Sequence, residues 1–155
     1  MADLAVTATI TRLTVPGGPL AALSLEAPGT YQIARSGLDV GATSWRRETA
    51  TSQYVAGRAL TGAVKDVQTG RLAVRVYATS IAALATRIAT LTTAFEQAAY
   101  TLTVGLDGTS FSWACECADW SAGDAGVVDE LLLRHYRQTV TFLWPRHPTP
   151  ITGLI

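Results

Sequence analysis

Catalysis and metal binding need reactive side chains brought close together, and this sequence keeps its own apart. His135 lies in an alternating apolar run and His147 sits beside prolines; neither has a carboxylate, cysteine or second histidine at metal-ligand spacing. Cys115-Glu116-Cys117 could offer two thiolates to zinc. A structural zinc site takes about four ligands, and no second Cys/His pair exists to supply the rest. Two residues apart on a strand, the cysteines would share a face, which is poor geometry for bonding each other. They read as buried reduced thiols packed like small hydrophobes. There is no serine elbow, phosphate loop or dinucleotide fingerprint, and Gly57, Gly62 and Gly70 fit turns. Asp129-Glu130 reads as a solvated loop. The expectation is no enzyme, no cofactor and no metal.

Another kind of chemistry is charge recognition. Arg46-Arg47, Arg58, Lys65, Arg71 and Arg75 make the middle of the chain mildly basic. Such residues could contact phosphates. The favoured reading is pairing with acidic groups on neighbouring subunits, because a guanidinium suits bidentate interface contacts and no aromatic-basic interleaving is evident. Twelve basic and twelve acidic residues leave zero formal net charge, which argues against general affinity for nucleic acid or anionic membrane.

The elements that would position these residues are mostly strands. Leu4, Val6, Ala8 and Ile10 alternate with threonines over 3–15, PGGP breaks the run, and LAALSLE resumes it as a loose hairpin. YQIAR (31–35) is a short strand and 36–44 a surface loop. Trp45 to Ala56 is mostly strand, anchored by Trp45, Tyr54 and Val55. A strand–turn–strand follows over 59–77, turning at Asp66 to Gly70. In LAVRVY, Leu72, Val74 and Val76 form one face of a half-buried strand. Ser80 opens the one expected helix, 80–98, with Ile81, Leu84, Ile88, Leu91 and Phe95 on an apolar stripe. Asp107-Gly108 between two alternating runs predicts a tight type I′ hairpin. A flexible acidic loop over 121–130 precedes a strand over 131–145 with Tyr136, Val140, Phe142 and Trp144 on one face.

At 155 residues, 48% hydrophobic and 15% charged, the chain fits one domain with a lightly charged surface of the kind partners cover. The N-terminus alternates and has no basic leader region, so it reads as a strand rather than a signal peptide. No run approaches the roughly 20 apolar residues of a membrane helix. The expected fold is α+β: a mostly antiparallel β-sandwich or barrel with one flanking helix. Residues 1–145 form the domain and 146–155 an extended tail, since its prolines exclude it from a central strand.

The segment Trp45 to Trp120 resembles minor tail proteins of long-tailed phages infecting actinobacteria. The likeness rests on WRR at 45–47, GRALTGAVKD at 57–66, LAVRV at 72–76, YTLTVGLDG at 100–108 and WACECAD at 113–119. The layout is similar to the tail-tube family and to the N-terminal domain of distal tail proteins, without the second, C-terminal domain of full-length members. The resemblance implies a structural virion tail component, assembled in the host cytoplasm, that forms a homo-oligomeric ring near the tail tip. A hexamer is expected, with other tail proteins as partners, DNA only as cargo in the lumen, and no membrane contact. The expected interface residues are Arg46, Arg47, Arg58, Arg75, Trp120, Ile151, Leu154 and Ile155. Loops 36–44 and 121–130 and the tail would bridge to neighbours. Two alternatives stand beside it: a tail terminator or completion protein, and a carbohydrate-binding sandwich using Trp45, Trp113 and Trp120 as a stacking platform. Core packing is favoured for Trp113.

Overall fold

The computed structural model describes residues 6–14, 18–19, 22–42, 44–52, 55–106, 109–123 and 134–147. Two long strands form its spine. In β7 (Gln68–Tyr77) the side chains of Leu72, Val74 and Val76 are fully buried while Thr69 and Arg71 are exposed, as a period of two requires. β11 (Arg137–Arg146) runs antiparallel to it over its whole length, from Arg137↔Tyr77 to Arg146↔Gln68, and buries Val140, Phe142 and Trp144 on the same side. On the other edge of β7 lies β4 (Tyr31–Asp39), whose register shifts between Ile33 and Leu38.

A second group of strands faces this spine. β8 (Ala99–Leu106) and β9 (Thr109–Glu116) form a hairpin paired from Ala99↔Glu116 to Leu106↔Thr109. β1 (Val6–Thr14) pairs with β8, and the short β2 (Gly18–Pro19) and β3 (Leu23–Ser24) fold back on β1. The two groups join at one bridge, Arg146↔Cys115. β10 (Asp119–Ala122) covers the free edge of β11. The fold is thus mostly antiparallel sheet with one helix, as the sequence predicts.

That helix, α1 (Ile81–Phe95), starts where the Ser80 hydroxyl accepts the Ala83 N–H at 3.2 Å. Leu84, Leu91, Ala94 and Phe95 face the core. Phe95 stacks on Phe142 with centroids 3.9 Å apart and meets Tyr100 edge-on at 5.6 Å. Trp113 and Trp144 come within 5.8 Å, so residues from both strand groups and the helix share one core. On the helix exterior, the Thr86 and Thr90 hydroxyls donate back to the Ala82 and Thr86 carbonyls, each at 3.0 Å. This explains why so threonine-rich a face is tolerated.

Several expectations need correction. Ile81 begins the helical stripe in sequence but is 57% exposed, because it belongs to the first turn beyond the sheet. Residues 36–39 are strand, not loop. Gly37 is a packing glycine, since a Cβ there would sit 2.9 Å from the Ala73 carbonyl oxygen. Gly70 is likewise no turn: a Cβ would lie 2.6 Å from Trp144 Cζ2 and 2.7 Å from the Asp39 oxygen. Gly57 and Gly62 lie inside β6 (Val55–Lys65). β6 and β7 are consecutive but not paired; β6 pairs with β5 (Trp45–Ser52), and only Asp66 and Val67 separate it from β7. Trp45 is 46% exposed and anchors nothing in the core. Cys117 falls beyond β9 and is exposed, while Cys115 is buried. Tyr136 precedes β11 in a left-handed conformation (φ 55°) and is exposed. Arg146, assigned by the sequence to the tail, is the last residue of β11, and Pro145 pairs with Thr69 within the sheet. The turn residues Asp107 and Gly108 lie outside the described residues, as do Leu4, Tyr54, Asp129 and Glu130.

Candidate assembly surfaces

The β5–β6 ribbon stands apart from the rest of the fold. Among the described residues, its two strands pair only with each other, in a sheet of their own. Trp45, Arg46, Arg47 and Glu48 are consecutive and all exposed, so both faces of this end meet solvent. Trp45 lies directly opposite Lys65, whose ammonium sits 5.5 Å from the indole centroid. Arg47 opposes Ala63 two residues along, on the face that Trp45 and Lys65 share. Arg46 is on the reverse face opposite Val64, which is 56% exposed. The base of the ribbon adds exposed Val67 and Val40. An exposed patch of this kind, apolar with cationic rims, is typical of surfaces covered in an assembly.

Of the expected interface residues, the ribbon gathers Arg46 and Arg47, with Arg58 opposite Thr51 along β6. Arg75 is separate. It lies on β7 between Gln32 and Thr139, half-buried, with Nε shielded from solvent. Trp120 is on β10, beyond β11 from β7; it is 44% exposed and donates its indole N–H to Glu96 at 2.7 Å. The middle arginines therefore do not form one surface. Ile151, Leu154 and Ile155 lie outside the described residues. So does most of the 121–130 loop.

Sequence reasoning saw neutrality and missed its pattern. From Arg35 to Arg87 there are eight basic residues and three acidic ones. From Ile88 to Leu133 there are seven acidic residues and no lysine, arginine or histidine. In the fold, β8, β9 and β10 carry the acidic segment, β4, β7 and the ribbon carry most of the bases, and β11 between them adds Arg137 and Arg146. Glu96, Glu116 and Asp119 are exposed on the acidic side. Charge counted in windows along the chain would have revealed it.

A cleft of about 270 Å³ opens among Glu26, Pro28, Gly29, Tyr31, Gln32 and Tyr77. Its polar groups serve the scaffold. The Tyr31 hydroxyl donates to the Arg87 carbonyl at 2.9 Å, the Tyr77 hydroxyl to Gln32 Oε1 at 2.8 Å, and the Glu26 carboxylate accepts the Ile33 N–H at 3.0 Å. The Arg87 guanidinium in turn donates to the Gly29 and Tyr77 carbonyls. Among the described residues, no three of His, Cys, Asp and Glu gather as a metal site would require.

Trp113 is 6% exposed and packs between Phe111 and Trp144, so it cannot join Trp45 and Trp120 in a stacking platform. The Arg146 guanidinium lies 5.5 Å from the Trp113 ring centroid, and its Nε donates to the Val40 carbonyl at 2.7 Å. Burial holds this arginine below its usual pKa. Among the described residues, no helix is long and apolar enough to cross a membrane.

No family model and no curated protein matches the sequence. Solved structures do. A chain of the phage P2 baseplate in its activated conformation with calcium superposes with a TM-score of 0.58 at 9% identity, over 96% of this chain and 45% of that one. The Dit protein of phage SPP1, described as a paradigm of the hub adsorption apparatus in phages infecting Gram-positive hosts, gives 0.56 at 14% identity, over 92% of this chain and 50% of Dit. The present chain spans about half the length of these neighbours. At such identities the likeness is one of fold.

Proposed function

We propose that this chain is a structural subunit of a bacteriophage tail, a minor or distal tail protein that forms a ring near the tail tip. The reading carries no catalytic role. One observation supports ring formation above the others: the self-paired β5–β6 ribbon, whose end at Trp45–Glu48 is exposed on both faces. An isolated two-stranded ribbon is at best marginally stable in water, so a neighbour that buries it supplies what the body of this chain does not. The likeness of fold to phage baseplate and Dit chains supports the tail assignment. Symmetric closure is the usual outcome of head-to-tail contacts between identical chains, and a hexamer is the ring we expect. Partners are further copies of the chain and adjoining tube or baseplate proteins, in the virion tail, with DNA passing only as cargo. A terminator or completion protein capping the tube is a variant of the same reading. The carbohydrate-binding reading loses support with the burial of Trp113.

Light scattering on the purified protein, with negative-stain electron microscopy, tests the proposal. Closed rings of uniform size are expected. A strict monomer at all concentrations would overturn it.

A further inference from the structure

A neutral chain can still be strongly polar, and the division of charge described above gives the ribbon a specific occupant. The face of β5–β6 that carries Trp45, Arg47 and Lys65 has cations and an aromatic ring but no acid. On the far side of β11, Glu116 and Asp119 are exposed at the end of β9 and on β10; Trp120, next in sequence, lies on the opposite face of β10, where its indole bonds Glu96. Among the described residues, β10 is paired on one edge only, to β11. We propose that the Trp45–Arg47–Lys65 face of one subunit docks on the Glu116–Asp119 edge of the next copy.

Three features fit this occupant. Opposite charges lie on different parts of one chain, so the contact is heterologous and can repeat from subunit to subunit until a ring closes. A second copy brings the acidic edge at the same stoichiometry as the ribbon, without recruiting another protein. The ribbon face also includes the half-exposed Trp45, a residue type enriched in the centres of interfaces. Charged partners here would steer association and fix which faces meet, while the Trp45 indole supplies burial. The inference rests on the ring-forming reading and adds the pair of surfaces that makes the ring.

Charge reversal separates the two ideas. One variant carries Arg47→Glu with Lys65→Glu; the other carries Glu116→Arg with Asp119→Arg. All four positions are exposed, and circular dichroism confirms that each variant is folded. Assembly is read by sedimentation velocity. Wild type should assemble, and raising NaCl from about 50 to 500 mM should weaken assembly at least about tenfold as the charges are screened. Each variant alone should be monomeric, because its ribbon and its edge then carry like charge. Mixed one to one, the variants should assemble, since each ribbon finds an opposite edge on the other variant. Either variant forming rings alone at wild-type concentration would overturn the docking and leave the ring reading intact. A mixture that stays monomeric would also overturn it. Wild type that never assembles would remove the ring reading, and this inference with it.

Discussion

Cys115 and Cys117 are two residues apart, yet the end of β9 falls between them and gives them opposite surroundings. Burial pushes the Cys115 thiol from its ordinary value of 9.0 up to about 12; a backbone hydrogen bond at Leu102 and the nearby Arg146 charge only partly offset it. With a thiol reagent at neutral pH, Cys117 should react fast and Cys115 only as slowly as the fold opens. Two fast thiols would show that β9 does not close over Cys115. The same shift has a consequence for stability. The folded state holds the Cys115 proton more tightly than the unfolded chain, so the contribution is complete below about pH 9 and drains away as pH rises toward 12. Tyr100, raised by burial in the same direction, adds to this. Denaturant midpoints should therefore fall through that alkaline range, and Cys115→Ala should make the fall shallower. Glycine 70 carries a different residue-scale lesson. The sequence shows only a glycine near a turn, because nothing local records that Trp144 and the Asp39 carbonyl close over its Cα. Gly70→Ala should cost about 1–3 kcal/mol through overpacking, measured by urea titration, where a turn glycine with ordinary φ would lose almost nothing.

At the scale of elements, what depends on local pattern was legible and what depends on distant partners was not. Ser80 followed by a 3.6-residue apolar period placed α1 to within a few residues. The alternation of Leu72, Val74 and Val76 placed β7, and the flanking runs placed the β8–β9 hairpin. Pairing was a different matter. β6 and β7 are neighbours in sequence, yet β7 is held by β4 and β11, and the partner of β6 is β5. No periodicity distinguishes a strand that pairs across a turn from one that turns away. The helix provides the clearest mechanical test. Phe95 is fully buried against Phe142 and Tyr100, and Phe95→Ala should cost roughly 3–5 kcal/mol. Thr93 is exposed, and Thr93→Ala should change stability little. Equal costs in a denaturant titration would mean that the helix is rotated from the phase described.

At the scale of the whole molecule, the candidate surface was half legible. The Arg46-Arg47 pair stood out as an interface candidate, but Lys65 and Trp45 joined it only when the ribbon register was known. The acidic side was hidden because net charge sums over a chain that the fold divides. The end of the chain makes a sharper test, since the sequence draws the boundary of the body at 145 and the structure moves it. Arg146 is 6% exposed, forms the bridge from β11 to β9, and is tied to the Val40 carbonyl and to the buried Trp113 ring. Within that bridge the His147 N–H donates to the Ala114 carbonyl at 2.8 Å. A chain cut after His147 keeps all of these contacts and should melt close to wild type. One cut after Pro145 loses the guanidinium and the bridge between β11 and β9, and should be markedly less stable. The remaining segment, 148–155, ends Ile-Thr-Gly-Leu-Ile, and extended it reaches about 26–29 Å, enough to lie on an adjacent subunit. If the expected interface role of Ile151, Leu154 and Ile155 is right, the chain ending at His147 should fold normally yet assemble poorly. Thermal unfolding and sedimentation of the two truncations measure both halves of this claim. Rings formed normally by the chain ending at His147 would release the tail from any part in assembly, and equal melting temperatures for the two cuts would take Arg146 out of the core.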